Sequence, residues 1–207
     1  MVLTDAQAHA VGEVAKTGGK ALDLAGGLGA FIKGTVGSVP EDLVGLAGGD
    51  WVHEQRRRNT ARMRAKTERL LEGIDPKRLS EPSAALVLPL LTAAADESRE
   101  ALQALWAALL ANAMVDGGKR VRRDYFEAVR QMEPTDALLL EIVRGLPASS
   151  STWGEAASEA SRRGLDQNEC SISRAKLTKL ECVFSTDNVH VALTPFARGL
   201  LAACTVE

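Results

Sequence analysis

Between residues 82 and 115 the chain puts all of its charges in one short block: Asp96, Glu97, Arg99 and Glu100. An uncharged run lies on each side, residues 82–95 and 101–115. Few structures accommodate that pattern. Both runs are rich in Leu and Ala, which are good helix formers, and the charged block between them needs water. In the second run Leu102, Leu105, Trp106, Leu109, Leu110 and Ala113 recur at the three-to-four-residue spacing of one buried helix face. A helical hairpin is therefore the expected core. Pro89 should perturb its first helix, residues 84–95, and Asp96 should cap its second. Aromatic residues are only 4% of the chain, so Leu, Ala and Val must fill most of the interior around Trp106.

Neither run can cross a membrane, since a spanning helix needs ~20 apolar residues. Residues 1–20 carry Asp5 and Glu13 and lack the basic stretch and apolar core of a signal peptide. A soluble cytoplasmic protein is expected. The net charge of −2 excludes a strongly basic nucleic-acid binder as a description of the whole chain, although a local basic face is still allowed.

The flanks of the hairpin differ in character. Eleven of the 18 glycines fall in residues 1–49. Glycine inside a helix costs ~1 kcal/mol relative to alanine, so this stretch reads as broken short helices or a closely packed surface. Residues 50–72 then hold seven basic and four acidic side chains without Gly or Pro, and Gly73 follows. Apolar residues are sparse there (Trp51, Val52, Met63, Leu70, Leu71), which predicts a long polar helix on the outside of a bundle.

Beyond the hairpin, residues 119–132 show a buried stripe of Tyr125, Phe126, Val129 and Met132. Pro134 opens another helix, with Thr135 or Asp136 as its cap. From there the order reads helix, helix, helix, hairpin, helix. The helices cover residues 137–143, 153–163 and 170–182, with Ile172, Leu177 and Leu180 of the third turned inward. Strands at 183–185 and 189–193 follow, around a Thr186-Asp187-Asn188 turn. Thr194-Pro195 starts the last helix, whose Phe196, Leu200 and Leu201 form its apolar face. This is the element order of a winged helix-turn-helix.

No catalytic constellation emerges. Gly19-Lys20-Ala21 and Gly118-Lys119-Arg120 lack the Ser or Thr of a phosphate loop, and Gly27-x-Gly29 lacks its third glycine. His9, His53 and His190 are scattered without ligand spacing, and Cys170, Cys182 and Cys204 read as core residues, so no metal or cofactor is expected. Two basic features remain as candidate contacts. Arg56, Arg57, Arg58, Arg62, Arg64 and Lys66 can meet an anionic partner, either nucleic acid or lipid. Arg174, Lys176 and Lys179, with Thr178, face outward from the helix in the recognition position. Residues 165–182 nevertheless sum to zero charge, which favours protein packing over DNA reading there.

The stretch Leu88-Pro89-Leu90-Leu91-Thr92-Ala93-Ala94-Ala95-Asp96-Glu97-Ser98-Arg99-Glu100, continuing through Leu102-Gln103-Ala104-Leu105-Trp106-Ala107-Ala108-Leu109-Leu110-Ala111-Asn112-Ala113, resembles the bacterial Abi-alpha (abortive infection alpha) family. Tyr125-Phe126, Val129, Gln131, Pro134 and Asp136-Ala137 extend the resemblance. So does the ending Leu193-Thr194-Pro195-Phe196-Ala197-Arg198-Gly199-Leu200-Leu201-Ala202-Ala203-Cys204. Ala108 replaces a usual Asn, and Ala197 and Glu181 stand where Gly is usual. The similarity spans roughly residues 50–205. It implies phage defence by abortive infection and supplies no active site.

The expected protein is all-α with a small winged-helix-like C-terminal unit containing a short β-hairpin. Its expected divisions are a Gly/Ala-rich segment (1–49), a helical domain (50–132) and the winged-helix-like unit (133–207). The expected function is a non-enzymatic phage-defence factor acting through a protein partner, self-association or membrane contact. One alternative is a winged-helix DNA-binding regulator. Another is a membrane-perturbing effector that uses residues 22–49.

Overall fold

Nine consecutive residues of one helix, 106–114, are buried, and the fold is organised around them. The structure is a computed structural model and describes residues 50–147 and 151–207. Among the described residues the helices are α1 (Asp50–Leu71), α2 (Ala84–Ala95), α3 (Glu100–Met114), α4 (Arg123–Gln131), α5 (Pro134–Gly145), α6 (Trp153–Arg162), α7 (Gln167–Lys179) and α8 (Pro195–Ala203). Strands β1 (Val183–Phe184) and β2 (Ala192–Leu193) lie between α7 and α8. The protein is thus mainly helical with a small antiparallel hairpin near its C-terminus. The expected segment 1–49, and with it the conditional membrane segment 22–49, lies outside the described residues.

Helix α3 is the buried one. A helix that is apolar all round must be covered on every side, and α1, α2, α4, α5 and α8 all pack against it. Its buried surface is therefore wider than the single face read from the spacing. Trp106 is 1% exposed and its ring lies 6.2 Å from that of Phe126. α1 lies along α3 and buries Met63 and Leu71. Two polar side chains fix its position: buried Asn59 donates to Ala95 O at 2.9 Å, and the Thr67 hydroxyl lies 3.3 Å from Ala107 O.

Pro89 does not break α2, which runs unbroken from Ala84 to Ala95. Proline removes the N–H that would bond the carbonyl four residues back, here that of Ala85. The Arg123 guanidinium from α4 donates to Ala85 O instead. The expectation for Asp96 is corrected. It forms the C-cap of α2 and leaves the start of α3 without a side-chain cap, while Glu97 folds back to accept the Arg99 N–H at 2.8 Å. The cap of α5 is also corrected. Glu133 is the N-cap, and Asp136 returns its carboxylate to the Glu133 N–H at 2.7 Å in a reciprocal box.

Helix α7 starts and ends three residues before its expected bounds, and its inward face is Cys170, Ser173 and Leu177. Ile172, expected inward, is 66% exposed. Ser173 takes the inward position one residue further round the helix, with its hydroxyl 3.2 Å from that of Thr135. After α7 the chain turns at Glu181, whose φ of 55° is left-handed. The hairpin is shorter than expected: Val183 pairs with Leu193 and Phe184 with Ala192. Residues 189–191 pair elsewhere, because Trp153 N donates to Val189 O and Val191 N to Ser151 O. These bonds form a bridge between Thr152 and His190.

Helix α8 closes the core. Phe196 sets its ring edge-on to Tyr125 at 5.3 Å, and Leu200 and Leu201 are buried. The buried Asn112 side chain of α3 donates to Ala203 O at 2.9 Å and lies 3.1 Å from Thr205 O, so it clamps the end of α8. One hydrophobic cluster runs from Met63 through Trp106, Leu139 and Leu177 to Ala203.

Candidate functional site

The basic side chains of α1 and α7 were the candidate contacts, and the structure uses them very differently. On α1, Arg56 reaches Asp96 at 2.5 Å and Lys66 reaches Glu100 at 3.1 Å, so both link the helix to the α2–α3 turn. Arg64 pairs with Glu68 at 2.9 Å along the helix. Arg57 and Arg58 share one carboxylate, that of Glu54, at 2.5 and 2.8 Å. The hydrogen bond from Arg58, together with Arg57 nearby, holds that carboxyl below its usual range. Arg62 is exposed and has no ion pair among the described residues.

On α7 two of the three candidates are held within the protein. Lys176 Nζ lies 3.1 Å from Asp136 Oδ2, and Asp136 is 1% exposed. The Arg174 guanidinium sits over the Trp153 ring at 4.5 Å and donates to the Asn188 carbonyl at 3.3 Å. Of these three, Lys179 alone is exposed and has no ion pair among the described residues. Past its first turn, where Gln167, Asn168 and Glu169 are exposed, the outward positions of α7 are Ser171, Ile172, Ala175, Thr178 and Lys179, and the hairpin exposes Phe184 and Val189. The hairpin turn is hydrogen-bonded internally: Asp187 accepts from the backbone N–H of His190 and Val189 and pairs with the His190 ring at 2.6 Å. Those bonds, led by the one from the His190 backbone, lower its carboxyl to about 2.

Lys176 belongs to a junction that sequence reasoning missed. Arg99 grips the buried Glu97 through two nitrogens at 2.9 Å and reaches Glu133 with a third. Glu133 and Asp136 then face Lys176. Burial pushes the Glu97 carboxyl up, but hydrogen bonds from the Arg99 side chain and backbone outweigh it and leave the carboxyl below its usual range. The junction thereby joins the α2–α3 turn, the start of α5 and the last turn of α7. The Glu133/Asp136 spacing signals only the capping box; nothing in the sequence pairs it with Lys176.

The chemistry available elsewhere is limited. An open cleft of about 620 Å³ lies between α5 and α6, but its carboxylates are engaged. Glu141 pairs with Arg144, Glu155 closes the box at Thr152, and Glu159 holds Arg162 and Arg163. Burial pushes the Cys182 and Cys204 thiols up to about 12, so both are neutral thiols at pH 7 rather than nucleophilic thiolates. Among the described residues no three His, Cys, Asp or Glu side chains gather as metal ligands. Nor is any helix among them long and apolar enough to cross a membrane.

No curated protein and no solved structure matches the chain. The family model described as "Abortive infection alpha" matches residues 55–198. That span begins in α1, includes the α2–α3 turn with its charged junction, and ends within α8. The chain belongs to the abortive infection alpha family.

Proposed function

We propose that this chain is a cytoplasmic, non-enzymatic phage-defence factor that acts by gripping a protein partner through the outer face of α7 and the adjoining hairpin. Family membership supports the defence role. The observation that supports the mode of action is the use of charge on α7. If the C-terminal elements are a winged helix, α7 stands where a recognition helix stands, and DNA affinity there would rest on cations facing phosphates. Lys176 is instead tied to buried Asp136, and Arg174 lies flat on Trp153. The outward surface carries Ile172, Ala175 and Thr178, with Phe184 and Val189 on the hairpin. Exposed apolar side chains rimmed by polar ones suit a protein contact.

Phage plating of cells with and without the gene tests the defence role: deletion should raise plating efficiency, and the wild-type chain should restore protection. Ile172→Glu tests the surface. Ile172 is 66% exposed, so the variant should melt with wild type while losing protection. Full protection by a folded Ile172→Glu protein refutes the proposed contact.

A further inference from the structure

We propose that the outer face of α1 binds single-stranded nucleic acid, with Arg58, Arg62 and Arg69 on its phosphates and Trp51 stacked on a base. The face is distinct from the α7 surface and does not depend on that reading. It follows from how α1 packs. Its inner side is occupied by Met63, Thr67, Leu71 and Asn59 against α2 and α3. That leaves Trp51, Arg58, Arg62, Ala65 and Arg69 in an exposed stripe, at spacings of seven, four, three and four residues. A helix of 22 residues is ~33 Å long, so the stripe is long enough to follow several nucleotides.

The stripe has a surplus of positive charge after every internal pairing is counted. Arg57, Arg58, Arg62, Arg64 and Arg69 stand against Asp50, Glu54, Glu68 and, just past the helix, Glu72, five against four. Arg57 and Arg58 divide a single carboxylate, and Arg62 and Arg69 have no ion pair among the described residues. Exposed Ala61 and Ala65 keep the surface low between the arginines, so a strand can approach closely. At one end Trp51 is 75% exposed. A cationic track with a free aromatic ring fits a strand whose bases are unpaired, because phosphates meet guanidinium groups and a base can stack on the ring. A bilayer is a poorer fit: a helix lying on lipid needs a broad apolar face, and beside the arginines this one offers only Trp51, Leu70 and alanines.

The test is fluorescence anisotropy of the full chain with a labelled mixed-sequence single strand of about 20 nucleotides, long enough to cover at least one site of the ~4–16 nucleotides that an OB fold occupies on a single strand. The same sequence as a duplex, and phosphatidylserine-containing vesicles, are run beside it. Three phosphate contacts predict that log K falls by about 2 per log unit of salt, at ~0.7 per contact for a single strand. Arg58→Gln, Arg62→Gln and Arg69→Gln together should flatten that dependence and weaken binding at least tenfold. Trp51→Ala should weaken it severalfold with the salt slope unchanged. All four residues are exposed, so melting should match wild type. Arg174→Gln with Lys179→Gln on α7 should leave binding as it is. The proposal is overturned by no binding at the lowest salt, or by a triple variant that binds like wild type. It is equally overturned by loss of binding in the α7 variant, by a duplex bound as tightly as the strand with Trp51→Ala silent, or by vesicles bound in place of nucleic acid.

Discussion

Replacing Asp136 by alanine removes two interactions at once. The Glu133 N–H loses the carboxylate 2.7 Å away that closes the start of α5, and Lys176 loses its partner at 3.1 Å. Loss of a helix-start acceptor costs ~0.5–2 kcal/mol. Breaking a fully buried ion pair costs ~3–5 kcal/mol. Here the lysine side chain is 30% exposed and keeps Glu133 at 4.0 Å, so it recovers part of its hydration. A pair contribution of ~1–2 kcal/mol is then reasonable, between the exposed and buried limits. Asp136→Ala should destabilise by ~1.5–4 kcal/mol in total, a large share of an ordinary ~5–15 kcal/mol stability. Lys176→Met should cost ~1–2 kcal/mol, since it leaves a buried carboxylate with one remaining donor. The double variant should be less destabilised than the sum of the two by about 1–2 kcal/mol. Urea unfolding of the four proteins at neutral pH measures the cycle. A coupling below about 0.3 kcal/mol, within the additivity of independent sites, refutes the reasoning. Lys176 would then be free to contact a ligand, which removes one support for the protein-contact reading of α7.

Three further outcomes are expected. Trp106→Ala should cost ~3–5 kcal/mol by leaving a void beside Phe126, and a thermal melt within a degree or two of wild type would contradict that packing. Glu181→Gly should stabilise by about 0.5–1 kcal/mol. Relief of a left-handed non-glycine residue is worth ~1–2 kcal/mol and the added chain entropy costs ~0.5–1; an unchanged or lower urea midpoint would count against strain at φ 55°. Glu97 has a folded carboxyl below the ordinary 4.5, so its ionised form stabilises the fold above that pH, and the contribution is lost as pH falls through the folded value. Glu97→Gln should therefore be less stable than wild type at pH 7, with the gap narrowing below pH 4.5; a gap that widens in acid would reverse the assignment.

The helical core was legible in the sequence because its signal is local. Trp106 and Leu109 sit in a run where spacing and composition agree, and Gly73 and Gly164 mark helix stops with φ of 88° and 91°. Ile172 reads as inward from its apolarity, but the inner face of its helix is Cys170, Ser173 and Leu177. A hydroxyl one residue round the turn packs inward because Thr135 is there to meet it, and Thr135 is 38 residues away. The same holds for the candidate contacts. Arg174 and Lys176 are basic residues in a recognition-like position, and only the fold shows that Trp153 and Asp136 already engage them. The α1 stripe was visible as a run of arginines, but which of them face outward depends on where Asn59 and Thr67 dock.

The Asn112 clamp on the end of α8 imposes an order in time. A ribosome delivers α2 and α3 first, and the carbonyls of Ala203 and Thr205 that receive the Asn112 amide come 91 and 93 residues later. At ~5–20 residues per second that interval is roughly 5–20 s. Throughout it the nascent hairpin carries an amide that would cost ~1–3 kcal/mol to bury unpaired. Within the hairpin itself that amide has only the Ala108 carbonyl, 3.4 Å away, so the full pairing of buried Asn112 waits on the synthesis of α8.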